Sequence, residues 1–137
     1  MGDKWMLFGT YEHCMDAKQR LTLPAKLRNK LSNPIYLTKG FEADLEIWSK
    51  DDFLLQIKEN LNKISDQKDI RDLERIIWSN TVEIGIDNLG RIKIPYNLIQ
   101  SLNIEKDVFI LGLGNRLEIW SKNKYNQHKK ELLKENS

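Results

Sequence analysis

The hexapeptide LEIWSK occurs at 45–50 and again at 117–122, an offset of 72 residues. An internal repeat constrains a fold more than any other sequence feature, because both copies must take the same local structure. The echo extends upstream. TYEHCMDAKQRLTLP (10–24) aligns with TVEIGIDNLGRIKIP (81–95) at an offset of 71, so that Thr10 meets Thr81, Glu12 meets Glu83, Asp16 meets Asp87, Arg20 meets Arg91 and Pro24 meets Pro95. Past the prolines, Leu27 meets Leu98 and Leu31 meets Leu102. The chain is a tandem duplication, about 10–48 and 81–120, with an insert between the copies and a short tail. Each copy of about 40 residues is near the size below which a lone apolar core fails. Two copies can pool their apolar faces. One compact pseudo-symmetric domain, or two intimately packed halves, is expected.

Within a copy the apolar residues alternate. Tyr11, His13 and Met15 share a face with the counterparts Val82, Ile84 and Ile86, the period-two pattern of a half-buried strand. DAKQR and DNLGR then read as turns, since Asp and Asn side chains accept local backbone N–H groups and Gly90 supplies a positive φ. The next strand puts Leu21 and Leu23 (Ile92 and Ile94) on one face and Arg20 and Thr22 (Arg91 and Lys93) on the other. Each copy therefore opens with a β-hairpin whose tip holds Asp-x-x-x-Arg. Pro24 and Pro95 stand where a helix begins, and Leu27 and Leu31 are spaced for a short amphipathic one. Ile35–Thr38 and Val108–Leu111 read as third strands, and LEIW closes each copy as a fourth. The order is β-β-α-β-β, twice, which makes the chain α+β: mixed β with short helices.

The insert follows helical spacing, with Phe53, Leu54, Ile57, Leu61 and Ile64 in one segment and Ile70, Leu73, Ile76 and Ile77 in the next. Two helices are expected, at about 50–64 and 67–79, the first opened by a capping box of Ser49 and Asp52. Asn123–Lys134 reads as a further, basic helix. This divides the chain into a first repeat (7–50), a helical insert (51–80), a second repeat (81–122) and a basic C-terminal helix or tail (123–137).

Net charge is only +2, but the four segments 1–40, 41–80, 81–120 and 121–137 carry +4, −4, −1 and +3. Such asymmetry fits a polyanion-facing side and an acidic side, and fits a merely solvated surface too. No apolar run approaches the roughly 18 residues of a membrane span, and MGDKWMLFG lacks a signal-peptide core. Met6 stands where a myristoylation signal wants Ser or Thr. Cys14 is the one cysteine, so no disulfide forms within the chain. A cytoplasmic protein is expected.

Catalytic constellations are thin. His13 aligns with Ile84 and reads as a core or boundary histidine, and its neighbour Cys14 points to the opposite face of the strand. His128, in a lysine-rich tail, reads as exposed. No spacing matches a zinc site. GLGN (112–115) runs into a strand where a dinucleotide loop needs a helix. Asp44 and Glu46 read as a solvated strand face. No catalytic residue, metal, cofactor or small-molecule substrate is expected.

The repeated Asp-x-x-x-Arg carries more. Asp16 and Asp87 suit turn capping, and Arg20 and Arg91 can pair with them across the tip. A surface ion pair is worth only about 0–1 kcal/mol, which accounts poorly for the arginines. An arginine at a hairpin tip can instead present its planar fork to guanine O6 and N7, and a two-stranded ribbon fits the major groove. Lys18, Lys26, Arg28 and Lys93 are placed to add phosphate contacts.

DAKQRLTLPAKLR, an acidic helical insert, DNLGRIKIP and LEIWSK together resemble the MraZ family of bacterial transcriptional regulators of the division and cell-wall gene cluster. The resemblance runs from about Leu7 to Lys122. It implies two swapped-hairpin, AbrB-like β-barrel halves of double-psi type and ring-shaped homo-oligomers. It further implies binding to short tandem repeats of promoter DNA through the hairpin tips, hence a nucleoid-associated protein. The family's DNA-contacting motif falls on Asp16, Lys18 and Arg20 and on Asp87 and Arg91. One departure is Gln19, where the first motif usually has Gly; it is expected to alter the turn or shift Arg20. Met1–Trp5 extend beyond the family's usual start. A ring would let modest basic tips act together by avidity. The second reading is an antitoxin-like module that caps a partner protein with the same barrel. The short, helix-like tail counts against it.

Overall fold

The computed structural model describes residues 6–135; the leading segment Met1–Trp5 lies outside the described residues. In chain order the elements are β1 (Leu7–Cys14), β2 (Arg20–Thr22), α1 (Ala25–Arg28), β3 (Ile35–Lys39) and β4 (Leu45–Ser49). The insert supplies α2 (Lys50–Asn62) and α3 (Gln67–Ser79). The second copy follows as β5 (Val82–Ile84), β6 (Arg91–Lys93), α4 (Tyr96–Leu102), β7 (Asp107–Gly114) and β8 (Leu117–Ser121), and α5 (Lys122–Glu135) ends the described chain.

Six strands form one antiparallel sheet in the order β1-β7-β8-β4-β3-β5, and β2 pairs with β6 in a separate ribbon. Exchanging the two copies reverses both orders and leaves them unchanged. The fold thus has a pseudo-two-fold axis through the β4–β8 seam. There the two LEIWSK strands meet each other, with Leu45 opposite Ile119, Glu46 opposite Glu118 and Ile47 opposite Leu117. The hexapeptide is spelled twice because both copies occupy the same place about that axis.

The expected hairpins are built differently from a simple ladder. Asp16 N–H donates to the Arg20 carbonyl (3.0 Å) and Asp87 N–H to that of Arg91 (2.9 Å), so both turns close. The arms then part. β1 crosses to β7 of the second copy, from Leu7↔Gly114 to Cys14↔Asp107. β5 returns the exchange by pairing with β3. β2 and β6 pair with each other across the copies, Leu21 opposite Ile92. Each copy lends strands to the other, which is the swapped-hairpin arrangement. The physical drive is burial. Leu21, Leu23, Ile92 and Ile94 are essentially inaccessible and join Leu45, Ile47, Leu117 and Ile119 in one core. Burying one such side chain contributes about 1.5–3 kcal/mol.

Alternation sends Glu46 and Trp48 to the other face of β4, where Trp48 Nε1–H donates to Glu46 (2.9 Å) and the ring meets Phe53 of α2. Phe53 also lies edge-on to Tyr36 and to Trp78 of α3, pinning the insert to the sheet. The second copy repeats the device. Trp120 Nε1–H donates to Glu118 (2.9 Å), and its ring is covered by Tyr125 and His128 of α5. Thus α5 takes the place in the second copy that α2 takes in the first. His128, expected to be exposed, is half-buried because the large Trp120 ring must be covered.

Two further expectations are corrected. Ser49 occupies the N-cap of α2 but makes no side-chain cap bond. Its hydroxyl accepts the Ser32 N–H (3.0 Å), as Ser121 Oγ accepts the Glu105 N–H (2.9 Å) in the second copy, so the last serine of each strand ties down the loop before the third strand. Asp44, expected on a solvated face beside Glu46, is fully buried, because the turn folds its carboxylate under the Gly40 and Glu42 backbone.

Candidate nucleic-acid interface

The two Asp-x-x-x-Arg tips are built alike, bond for bond. In the first, Asp16 Oδ1 accepts the N–H groups of Lys18 and Arg20 (both 2.9 Å), and Oδ2 accepts Arg20 Nε–H (2.7 Å). In the second, Asp87 Oδ1 accepts from Leu89 and Arg91 (both 2.9 Å), and Oδ2 accepts Arg91 Nε–H (2.8 Å). The backbone N–H of the arginine, then its side chain, hold each carboxyl below the usual aspartate range. Asp–Arg pairing across the tip is therefore present. It spends only Nε. Among the described residues, no protein group accepts from Nη1 or Nη2 of either arginine. Each guanidinium is thus oriented by one edge, with its outer fork unspent.

The ribbon then assembles these forks on one face. Arg20 stands opposite Lys93 and Thr22 opposite Arg91, while Leu21 and Ile92 between them point into the core. Arg20 and Arg91 are diagonal neighbours, whose Cα atoms in such a ladder lie roughly 7–8 Å apart. Lys18 is exposed at the first tip, where the second has the exposed Leu89. Lys26 is exposed on α1. Arg28 is half-buried, donates Nη1–H to the Leu23 carbonyl (3.2 Å) and lies directly over Gly90.

Gln19 does not alter its turn. It takes the left-handed conformation (φ 58°) that Gly90 takes in the second copy (φ 77°), and it makes the same backbone bond, to Asp16 as Gly90 does to Asp87. The copies differ in what lies over the turn. A Cβ on Gly90 would sit 1.8 Å from Arg28 Nη1, so that guanidinium would have to move to admit one. The repeat places Ile99 where the first copy has Arg28, and Ile99 borders the same surface hollow as Gln19. Part of the preference for glycine therefore comes from a neighbour in the other copy, which a motif read alone does not contain.

A tandem-duplicated α+β chain with exchanged hairpins and paired Asp-x-x-x-Arg tips is an AbrB-like, swapped-hairpin protein. The comparisons narrow this. The family described as "MraZ protein, putative antitoxin-like" matches residues 6–76 and again 77–137. Transcriptional regulator MraZ of Mycoplasma capricolum subsp. capricolum is 99% identical over 96% of this chain and 100% of its own length. The protein of that name from Mycoplasma mycoides subsp. mycoides is 88% identical over 94% of this chain and 97% of its own length. That from Caldanaerobacter subterraneus is 40% identical, covering 91% and 87%. The chain belongs to the MraZ family. No helix among the described residues is long and apolar enough to cross a membrane.

Proposed function

We propose that the chain is a transcriptional regulator that binds double-stranded promoter DNA sequence-specifically through the β2–β6 ribbon, and that it has no enzymatic role. The observation that carries this is the pair of Asp-oriented arginine forks, Arg20 and Arg91, on one solvent-facing ribbon face with Lys93 opposite Arg20. A two-stranded ribbon fits the major groove, and the free fork of an arginine matches guanine O6 and N7. Arg20 and Arg91 read bases. Lys18, Lys26 and Lys93 neutralise phosphates, with Arg28 supporting the second tip and offering its remaining nitrogens to the backbone. Asp16 and Asp87 are turn residues that aim the arginines.

Only a small basic face is available per chain, so affinity comes from several copies acting on repeated sites. A ring-shaped homo-oligomer on short tandem repeats upstream of the division and cell-wall operon is the form this takes, with the protein cytoplasmic and nucleoid-associated. The wording "antitoxin-like" in the family description favours, as a second reading, a partner protein at the same tips.

A mobility shift on DNA upstream of the protein's own gene, run over a salt series, separates the two. Phosphate-driven binding falls steeply as salt rises. Wild type should prefer that DNA over a scrambled control. Arg20→Ala and Arg91→Ala should each cost roughly 1–3 kcal/mol of discrimination. No preference, or variants that bind as well as wild type, would reject the DNA reading and turn the search to protein partners.

A further inference from the structure

The β4–β8 seam holds a second polar constellation, on the sheet face opposite the core. Asp44, Glu46 and Glu118 each bring a carboxylate oxygen within 4.8 Å of the other two. Asp44 is fully buried, Glu118 nearly so and Glu46 half-buried. Like charges directly opposite on neighbouring strands, as Glu46 and Glu118 are, destabilise a sheet unless something lies between them. The protein supplies part of the answer. Arg116 donates Nε–H (3.2 Å) and Nη2–H (3.1 Å) to Glu118, and each glutamate accepts its own tryptophan indole. When all three are ionised, as a bound cation would make them, one guanidinium leaves two of their charges uncompensated. The deepest of the three carboxylates has an orphan: Asp44 Oδ2 is buried with no hydrogen-bond partner. A buried polar atom of this kind needs a proton or an ion.

The geometry points to a binding site for one divalent, oxygen-preferring cation such as calcium, held by Asp44, Glu46 and Glu118. Three oxygens no more than 4.8 Å apart can share a centre at up to about 2.8 Å, a span that admits calcium–oxygen distances of about 2.3–2.6 Å. Two uncompensated charges match a divalent ion. Glu46 also lines a cavity of about 220 Å³ between the sheet and the insert helices, which gives the ion an entry path and water to complete its shell. The ligands come from both copies, so the ion would bridge the duplicated halves. Arg116 aligns with Asp44 at the LEIWSK offset, so this arginine-for-aspartate difference makes the site unique rather than two-fold. No spacing rule finds it, because the donors converge from separate strands.

Terbium(III) added alone to chelator-treated full-length protein tests the assignment, since Trp48 and Trp120 already bond to two of the ligands and would sensitise its emission. Wild type should show saturable tryptophan-sensitised emission that calcium displaces. Asp44→Asn and Glu46→Gln, each checked for folding by circular dichroism, should lose it. Asp69→Asn, an exposed carboxylate on α3, should keep it. The site is refuted if folded wild type shows no saturable emission, if either folded ligand variant retains it, or if Asp69→Asn loses it equally.

Discussion

Gly90→Ala probes the tip through a contact between the copies. Gly90 has φ 77°, and left-handed backbone costs a non-glycine residue about 1–2 kcal/mol. Alanine recovers about 0.4–1 kcal/mol by restricting the unfolded chain. The backbone alone therefore predicts a net loss of about 1 kcal/mol. The added Cβ would also stand 1.8 Å from Arg28 Nη1 and must displace that guanidinium. Arg28 then loses its bond to the Leu23 carbonyl, worth about 1 kcal/mol. The sum is about 2 kcal/mol, read by urea unfolding. A double-mutant cycle isolates the second part. In an Arg28→Ala background, Gly90→Ala should cost only the backbone share, leaving a coupling of about 1 kcal/mol. Equal costs in both backgrounds would refute the account of why the second tip has glycine and the first tolerates Gln19.

Two other outcomes follow from the seam and the insert. Burial, then the charge of Glu118, pushes the Asp44 carboxyl up to about 7. Its folded pKa lies above the unfolded value near 3.8, so the protonated form stabilises the native state at low pH. In chelator, wild-type stability should fall between about pH 4 and pH 7, by at most about 1.4 kcal/mol per pH unit, and Asp44→Asn should flatten that slope; identical pH profiles would contradict this. Phe53→Ala removes the ring that joins Tyr36, Trp48 and Trp78, and should cost about 3–5 kcal/mol in chemical unfolding while loosening α2 and α3 in hydrogen exchange; a loss under about 1 kcal/mol would show that the insert is not held there.

Much of this was legible because the repeat carries its own alignment. Turns, prolines and alternation located the fifteen-residue blocks and both arginines, and the helical spacing placed the insert helices at about 50–64 and 67–79, against Lys50–Asn62 and Gln67–Ser79 in the structure. What escaped is set by pairing at a distance. Alternation says that Tyr11 and Leu21 lie on strands, but only the shared core decides that β1 pairs with β7 and β2 with β6. The burial of Asp44 depends on a turn folding back, where a run of acidic residues reads as solvated. The equivalence of α2 and α5 was hidden because their sequences differ. A usable signal existed, since each LEIWSK carries a tryptophan that must be covered by whatever follows it.

The central claim is that the arginine forks read bases, and the Arg20→Lys, Arg91→Lys double variant tests it most directly. Lysine keeps the charge and loses the bidentate fork. The quantity to measure is the ratio of affinities for the protein's own upstream DNA and for a scrambled duplex at one fixed salt concentration. The account predicts that this ratio collapses, by roughly 1–3 kcal/mol per arginine, while binding to the scrambled duplex is nearly unchanged. A ratio equal to that of wild type would mean that the tips supply charge alone, and would contradict the account.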